Sequence, residues 1–204
     1  MTDFARLMSD YFVKYLAGQK GSGSNTMKTY RDTFVQLLEF MDEKKHIRAD
    51  CIEVDSFSYD IINEFLEYLE KEKRVSISTR NNRLAAIRSF FKYTGYHEPK
   101  YLNISTSIRE ISKKKTEGRQ MNYLSVNAME HFLNSFDKTD HKELRCFCIV
   151  LLLYESGARV TELCNVRRYD LHLEKPYTMI LHGKGDKIRS VPLDGLVADR
   201  KSVV

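Results

Sequence analysis

Apolar residues recur at helical spacing through the first 100 residues, and this periodicity limits the first half of the chain to an all-α arrangement. Four segments repeat apolar side chains at i, i+3, i+4 and i+7, which places them on one face of a helix. The four apolar stripes lie within residues 4–15, 30–41, 61–69 and 84–91. Because each helix has to bury its stripe against the others, we expect a small bundle of four to five helices.

A polar, basic stretch without helical period separates this half from the rest of the chain. Residues 113–120 read KKKTEGRQ, which is typical of an interdomain linker. Beyond it, Ser125 is a candidate N-cap, an apolar helix is predicted over 142–156, and a short helix begins at Arg159. The predicted buried positions of the apolar helix are Cys146, Ile149, Val150, Leu153 and Tyr154. Residues 178–181 and 187–193 predict two strands joined by a turn rich in Gly and Asp. We therefore expect a mainly α chain with a small β-hairpin or sheet. Its predicted parts are a helical domain at 1–110, a basic linker at 111–122 and a second domain at 123–204.

Positive charge is concentrated in one part of the chain. The formal net charge is +5, yet residues 71–120 contain 7 Lys and 6 Arg against 4 Glu and no Asp. The remaining residues carry a net negative charge, so this segment accounts for the whole positive excess. A local field of this sign suits a polyanion such as DNA or RNA. A solvated charged face is the alternative, and charge alone does not decide between the two.

Several other classes of protein are disfavoured by the composition. The apolar runs are too short to span a bilayer, and the first residues lack the basic and apolar regions of a secretory signal. The four cysteines, at positions 51, 146, 148 and 164, form neither a CxxC pair nor a zinc-ligand pattern with histidine. We therefore expect a cytoplasmic protein with reduced thiols, no metal and no membrane partner.

Polar residues on two of the predicted helices are candidates for nucleic-acid contact. On the fourth helix they recur at i, i+7 and i+11, opposite the apolar stripe, and on the second helix they lie away from it. Arg and Lys neutralise phosphates and Asn can contact a base edge, although a simply solvated face has the same appearance. The candidate DNA-binding residues are Lys28, Arg31, Asn81, Arg88 and Lys92.

Two further positions have residue types suited to phosphate chemistry. Arg159 follows Gly157 at the start of a short helix, where its guanidinium fork matches a phosphate and Glu162 can hold it one turn on. An exposed Arg–Glu pair of small energetic value is the alternative. Lys184 lies at the predicted hairpin tip, and GKG there is not a P-loop because it leads into a strand rather than a helix.

Two motifs, ESGARVTEL at 155–163 and LHGKGDKIRSVPL at 181–193, follow YLS at 123–125, and together they resemble the tyrosine recombinase (phage integrase) family. The resemblance covers about residues 4–196. It implies an N-terminal core-binding (SAM-like) helical bundle and the first part of an α+β catalytic domain. It also implies that Arg159 is the first catalytic arginine and that Lys184 is the hairpin lysine, the general acid for the leaving 5′-oxygen. Glu162 matches an acidic residue with a structural role.

The same resemblance implies a function. Family members cut and rejoin double-stranded DNA at specific sites through a 3′-phosphotyrosine, without metal or nucleotide cofactor. A full-length parent is expected to assemble as a tetramer on DNA, and the isolated chain to be a monomer.

One departure from the family pattern affects the predicted activity. The family's remaining catalytic groups, including its nucleophilic Tyr, follow the hairpin, but the 20 residues after Lys184 contain no Tyr and no His. We therefore expect the chain as given to bind DNA and to be inactive in strand cleavage. The last six residues, DRKSVV, match a translated sequencing adapter, and a naturally truncated gene is the alternative. A non-catalytic DNA-binding module, either a decayed integrase or a regulatory or architectural factor, and a helical protein-interaction domain are the other functional alternatives.

Overall fold

The apolar stripes of the first half form helices in the computed structural model, which describes residues 1–116, 118, 122–183, 185 and 187–193. Helix α1 spans Asp3–Asp10 and continues as a π-helical segment, Tyr11–Gln19. The other helices of this half are α2, Ser24–Lys45; α3, Tyr59–Lys71; α4, Ile77–His97; and α5, Leu102–Glu110. The side-chain oxygens of Thr2, Ser58 and Ser76 accept backbone N–H bonds at the starts of α1, α3 and α4.

Aromatic side chains fill the centre of this helical bundle. The ring centroids of Phe4, Tyr11 and Phe34 all lie within 5.5 Å of the Phe90 centroid on α4. Helix α5 packs closely on α4, where the Ser105 hydroxyl donates to the Phe91 carbonyl at 2.6 Å. The predicted inward residues of α4 are confirmed, since each of them is buried: Leu84, Ile87, Phe90 and Phe91.

Among the residues that the structure describes, the second half combines three α-helices with a small sheet. Helix α6 spans Val126–Asn134, α7 His141–Ser156 and α8 Val160–Cys164. Strands β1, Leu171–His172, β2, Thr178–His182, and β3, Ile188–Pro192, form an antiparallel sheet in the order β1-β2-β3. The predicted N-cap is confirmed, because Ser125 Oγ accepts from the Ala128 N–H at 3.2 Å. The predicted hairpin is confirmed as β2 and β3, and β1 was not predicted.

The predicted buried face of α7 is wrong. The pattern favoured Cys146, Ile149, Val150, Leu153 and Tyr154, whereas Ile149 is 40% and Tyr154 51% exposed. The buried residues are instead Phe147, Cys148, Leu151 and Leu152. Residues 146–154 are apolar on all sides, so the pattern does not mark a single face. The neighbours of α7 select the face, since Leu152 packs with Met179 and Leu181 of the sheet.

The chain divides into two compact units, residues 1–119 (unit 1) and 120–204 (unit 2). The described residues of unit 1 are helical and form one large apolar cluster, whereas those of unit 2 form two smaller ones, one at the sheet and one between α6 and α7. The predicted fold class, mainly α with a small sheet, is confirmed.

Candidate functional site

Arg159 lies at the point where α7 ends and α8 begins. Gly157 adopts the left-handed conformation, φ 56°, that ends α7, and Arg159 is the extended N-cap residue of α8. Its Nη1 donates to Glu162 Oε1 at 2.7 Å, and its backbone N–H donates to Glu162 Oε2 at 3.0 Å. The Arg159 side chain is nevertheless 71% exposed. The guanidinium is therefore oriented by its partner while its remaining N–H groups stay open to an anion.

Glu162 links α8 to the hairpin. Its side chain is only 4% exposed, and Arg189 Nη2 on β3 donates to its Oε2 at 2.7 Å. The hydrogen bond from Arg189, followed by those from the Arg159 backbone and guanidinium, lowers the pKa of Glu162 to about 2. Glu162 is consequently a carboxylate at neutral pH and holds two arginines from separate elements.

The hairpin backbone approaches this carboxylate closely at Gly183. A Cβ added there would lie 3.2 Å from the Lys187 carbonyl oxygen and 3.4 Å from Glu162 Oε1. The Gly183 N–H donates to that Lys187 carbonyl at 2.7 Å, and Gly185 has φ 75°. Lys184 itself lies outside the described residues, so its distance from Arg159 stays a prediction. Gly183, the residue before Lys184, lies beside Glu162, which binds Arg159.

A second buried carboxylate holds the other strand of the hairpin. Asp170 Oδ1 lies 3.2 Å from His182 Nε2 at the end of β2, and the Asp170 side chain is 4% exposed. The Arg167 backbone N–H donates to Asp170 Oδ2 at 2.8 Å. That hydrogen bond, followed by the one from His182, lowers the pKa of Asp170. Each long strand of the sheet is thus attached by an ion pair or hydrogen bond to a buried carboxylate in the preceding segment.

Unit 1 contains a cleft lined by basic side chains. Its volume is about 370 Å³, and Arg88 and Lys92 of α4 contribute to its wall. No carboxylate is among the lining residues, which are Tyr15, Lys20, Tyr30, Ala85, Arg88, Ser89, Lys92, Arg109 and Lys113. We call this group of nine residues the cationic cleft. Five positive side chains with no carboxylate among the described residues that line the cleft form a site suited to a polyanion.

The other predicted DNA-binding residues lie outside the cationic cleft. Lys28 and Arg31 are exposed on α2. Asn81 is engaged with the backbone of residue 114: its Nδ2 donates to the Lys114 carbonyl at 2.8 Å, and its Oδ1 accepts from the Lys114 N–H at 3.1 Å. The Asn81 amide therefore has a structural partner at both polar atoms.

Three basic cleft residues were not predicted from the sequence: Lys20, Arg109 and Lys113. They come from the segment after the π-helical turn, from α5 and from the basic stretch after it. Only the packing of these elements brings them beside Arg88. Arg189 was also not predicted. It lies two residues before Val191 on β3 and therefore on the same, half-buried face of the strand, and a charged residue on that face is a usable signal.

No metal site or membrane span is found in the part of the chain that the structure describes. Within it, no three His, Cys, Asp or Glu side chains come together as metal ligands. None of the described helices is long and apolar enough to cross a membrane.

Models of two protein families match the chain, one in each unit. The model described as "Phage integrase, N-terminal SAM-like domain" matches residues 10–99. The model described as "Phage integrase family" matches residues 122–202. The chain belongs to the tyrosine recombinase (phage integrase) family. The helical unit 1 and the hairpin-bearing unit 2 of this tyrosine recombinase thus correspond to the two matched domains.

A curated relative agrees with this assignment, and two solved structures share the fold. Tyrosine recombinase XerD of Listeria innocua serovar 6a (strain ATCC BAA-680 / CLIP 11262) is 30% identical over 189 residues, which cover 90% of this chain and 59% of XerD. The post-cleavage complex of the XerH site-specific recombinase bound to palindromic difH substrate is similar in fold. Its TM-score is 0.65 at 23% identity, over 94% of this chain and 55% of that one. The Tn1549 transposon integrase in complex with circular intermediate DNA gives a TM-score of 0.63 at 20% identity, over 98% of this chain and 63% of that one. The chain therefore spans less than two thirds of each of these three relatives.

Proposed function

We propose that this tyrosine recombinase chain binds double-stranded DNA and carries part of the centre of a site-specific recombinase or integrase. The main support is the group formed by Arg159, Glu162 and Arg189. In this group the buried carboxylate of Glu162 orients the exposed Arg159 beside the base of the hairpin. The two motifs that resemble the family contain these three residues and Lys184. XerD, XerH and the Tn1549 integrase are named as recombinases or integrases, two of them in complex with DNA.

In the proposed reaction Arg159 and Lys184 act on one phosphodiester of the DNA. The Arg159 guanidinium donates to the non-bridging oxygens, where negative charge develops as a tyrosine of the full-length parent releases its phenolic proton to solvent and its oxygen attacks phosphorus. The bond that breaks joins phosphorus to the 5′-oxygen, and Lys184 donates the proton that this oxygen takes up. A 3′-phosphotyrosine forms, and rejoining reverses these steps. Glu162 acts through Arg159 as a positioning residue.

We assign DNA contact in unit 1 to the cationic cleft. Arg88 and Lys92, predicted from the sequence, are joined there by Lys20, Arg109 and Lys113. Lys28 and Arg31, exposed on α2, stay predicted phosphate contacts. Among the described residues, no carboxylate lies within ion-pair distance of Arg88 or Lys92, so both cations are available to phosphates.

Salt dependence of DNA binding tests this assignment. If all five cleft cations contact phosphates, they contribute about −4.5 to the slope of log K against log salt, and contacts by Lys28 and Arg31 make the slope steeper still. Removing two contacts with Arg88→Ala/Lys92→Ala should make the slope shallower by about 1.8, which reduces the fall in affinity between 50 and 200 mM salt by about 12-fold. Fluorescence anisotropy of the 204-residue chain on a labelled duplex of random sequence measures the salt slopes of the wild type and of the double variant.

The matched control is Lys44→Ala/Lys71→Ala, which removes the same charge from lysines whose ammonium groups are held by Glu72 and Glu67. We expect this variant to keep the wild-type slope. Binding that does not depend on salt, or two double variants with equal slopes, would refute the role of the cleft.

The remaining assignments concern assembly and location. We propose that the isolated chain is a monomer, that the full-length parent forms a tetramer on its DNA site, and that it works in the bacterial cytoplasm. Analytical ultracentrifugation of the full-length parent, alone and with a duplex carrying its site, distinguishes these states.

A further inference from the structure

The segment that follows α5 stays attached to unit 1. Ile111 is 1% exposed, and Arg80 Nη1 on α4 lies 3.4 Å from the Ser112 carbonyl oxygen, to which it donates. Both backbone polar groups of Lys114 bond the Asn81 side chain. Its ammonium group lies 2.8 Å from Glu70 Oε2 on α3. Residues 111–114 are therefore an ordered extension of the bundle rather than the start of a free linker.

Glu70 joins this segment to a buried cation. The Arg80 side chain is 6% exposed, and its Nε lies 2.9 Å from Glu70 Oε1, an ion pair that lacks hydrogen-bond geometry. A buried guanidinium needs a counterion, so Glu70 cannot move away from Arg80 at low cost. Lys114 binds the second oxygen of a carboxylate that is already fixed. We call Glu70, Arg80 and Asn81 the tether clamp.

The tether clamp determines where the neighbouring lysine lies. Lys113 lines the cationic cleft together with Arg109, while Lys114 turns to Glu70. With Ile111 buried on one side and Lys114 bonded at both backbone groups on the other, the backbone of Lys113 has little freedom left. The backbone entropy of Lys113 is therefore lost when the chain folds, so ligand binding does not have to restrict it again.

We propose that the tether clamp positions Lys113 as part of the polyanion-binding surface of unit 1, and that Asn81 is a positioning residue rather than a reader of bases. The proposal rests on the proposed function, because the polyanion is taken to be duplex DNA. It replaces direct base contact by Asn81 with an indirect effect through the backbone of Lys114. The two roles differ in what the removal of Asn81 changes before DNA is added.

Asn81→Ala tests the proposal, and Asn82→Ala is its matched control. Asn82 is the next residue of α4, carries the same side chain and is exposed. In the 204-residue chain without DNA, we expect the Lys114 amide hydrogen to exchange about two- to tenfold faster in Asn81→Ala, because its acceptor is lost. Asn82→Ala leaves that rate unchanged. NMR of the 15N-labelled chain measures the rate, and circular dichroism confirms that each variant is folded.

DNA binding by the same variants completes the test. Asn81→Ala and Lys113→Ala should each lower affinity about three- to tenfold and make the salt slope shallower by about 0.9, the value for one phosphate contact. Because both changes remove the same contact, the double variant should bind no more weakly than either single one.

The outcomes separate the clamp from the proposed function. Unchanged exchange at Lys114 in Asn81→Ala overturns the clamp. Faster exchange with unchanged DNA affinity, or additive losses in the double variant, overturns its role in positioning Lys113. A wild-type chain that does not bind DNA refutes the proposed function and the role of the clamp in it, while the exchange data still report whether Asn81 holds Lys114.

Discussion

Gly95 on α4 is the position where one added methyl group should affect unit 1 most directly. A Cβ there would lie 2.6 Å from Ser105 Oγ and 2.8 Å from Ser105 Cβ, closer than nonbonded atoms approach. Ser105 is 1% exposed, and its hydroxyl bonds the Phe91 carbonyl, so it cannot turn away without loss of that bond. Gly95→Ala therefore forces α4 and α5 apart.

Three terms set the size of the effect. Alanine in place of glycine near the end of a helix gains up to about 1 kcal/mol from helix propensity. Overpacking a close contact costs about 1–3 kcal/mol. Loss of the buried Ser105 hydrogen bond costs about 0.5–1.5 kcal/mol. The unfavourable terms are larger, so we expect Gly95→Ala to destabilise unit 1 by about 1–3 kcal/mol.

In a Ser105→Gly background, the change in stability caused by Gly95→Ala should have the opposite sign. Ser105→Gly removes both atoms of the clash and leaves Leu102 Cδ1 at 3.7 Å, an ordinary contact. In this background Gly95→Ala should stabilise the protein by about 0.5–1 kcal/mol, because only helix propensity remains. Urea unfolding of a fragment comprising residues 1–116, followed by circular dichroism, measures the four free energies. Equal destabilisation by Gly95→Ala in both backgrounds would refute the contact as its cause.

Three further predictions concern Asp3 at the start of unit 1, the proposed reaction, and the link from Glu162 to the hairpin. Asp3 accepts hydrogen bonds from Lys100, Tyr101 and Arg6, and these lower its pKa from 3.8 to about 2. Because the folded pKa is the lower one, this stabilisation is present above about pH 4 and is lost as the pH falls toward 2; melting temperatures of Asp3→Asn should lack that pH dependence. In a longer protein with the rest of the catalytic domain, Arg159→Ala and Lys184→Ala should each lower tyrosine–DNA adduct by about 100-fold or more with little loss of binding, unlike Arg168→Ala, an exposed arginine nearby. Glu162→Gln should accelerate amide exchange at Gly183 in the 204-residue chain, since Arg189 and Arg159 lose their charged partner, and an unchanged rate would contradict the link from Glu162 to the hairpin.

The helices were predictable where their faces differ in polarity. Between residues 84 and 91 of α4 the apolar side chains recur at helical spacing, so the burial of Leu84, Ile87, Phe90 and Phe91 follows from the pattern. The burial of Arg80 and Thr94 on the same helix does not. Helix α7 has no such contrast between residues 146 and 154, and its buried face depends on the sheet and on α6. Strand β1 has two residues and no period to detect.

The candidate site was predictable only in part, for a related reason. Arg159 and Lys184 lie in motifs that can be recognised in one stretch of sequence. Lys20 is far along the chain from Arg109 and Lys113, and the three line one cleft with Arg88 only in the folded unit. Asn81 has the residue type and spacing of a base contact, and its hydrogen bonds to the backbone of Lys114 leave no trace in a pattern of side chains.

The placement of carboxylates distinguishes two kinds of basic residue in this chain. Glu162 binds Arg159 and leaves most of its guanidinium exposed, so one arginine is held in a defined orientation, as electrostatic stabilisation of a reacting phosphate requires. The described residues that line the cationic cleft include no carboxylate, so a ligand can supply the counterions of its lysines and arginines, as a repeating phosphate backbone would. Adding a carboxylate to the cleft should therefore give one of its cations a fixed partner, as Arg159 has in Glu162. A carboxylate placed at Ser89 in the cleft, as in Ser89→Glu, should pair with Arg88 or Lys92 and weaken DNA binding while leaving the hairpin unchanged. If Ser89→Glu binds DNA as tightly as the wild type with the same salt slope, the cleft does not act through its unpaired charge.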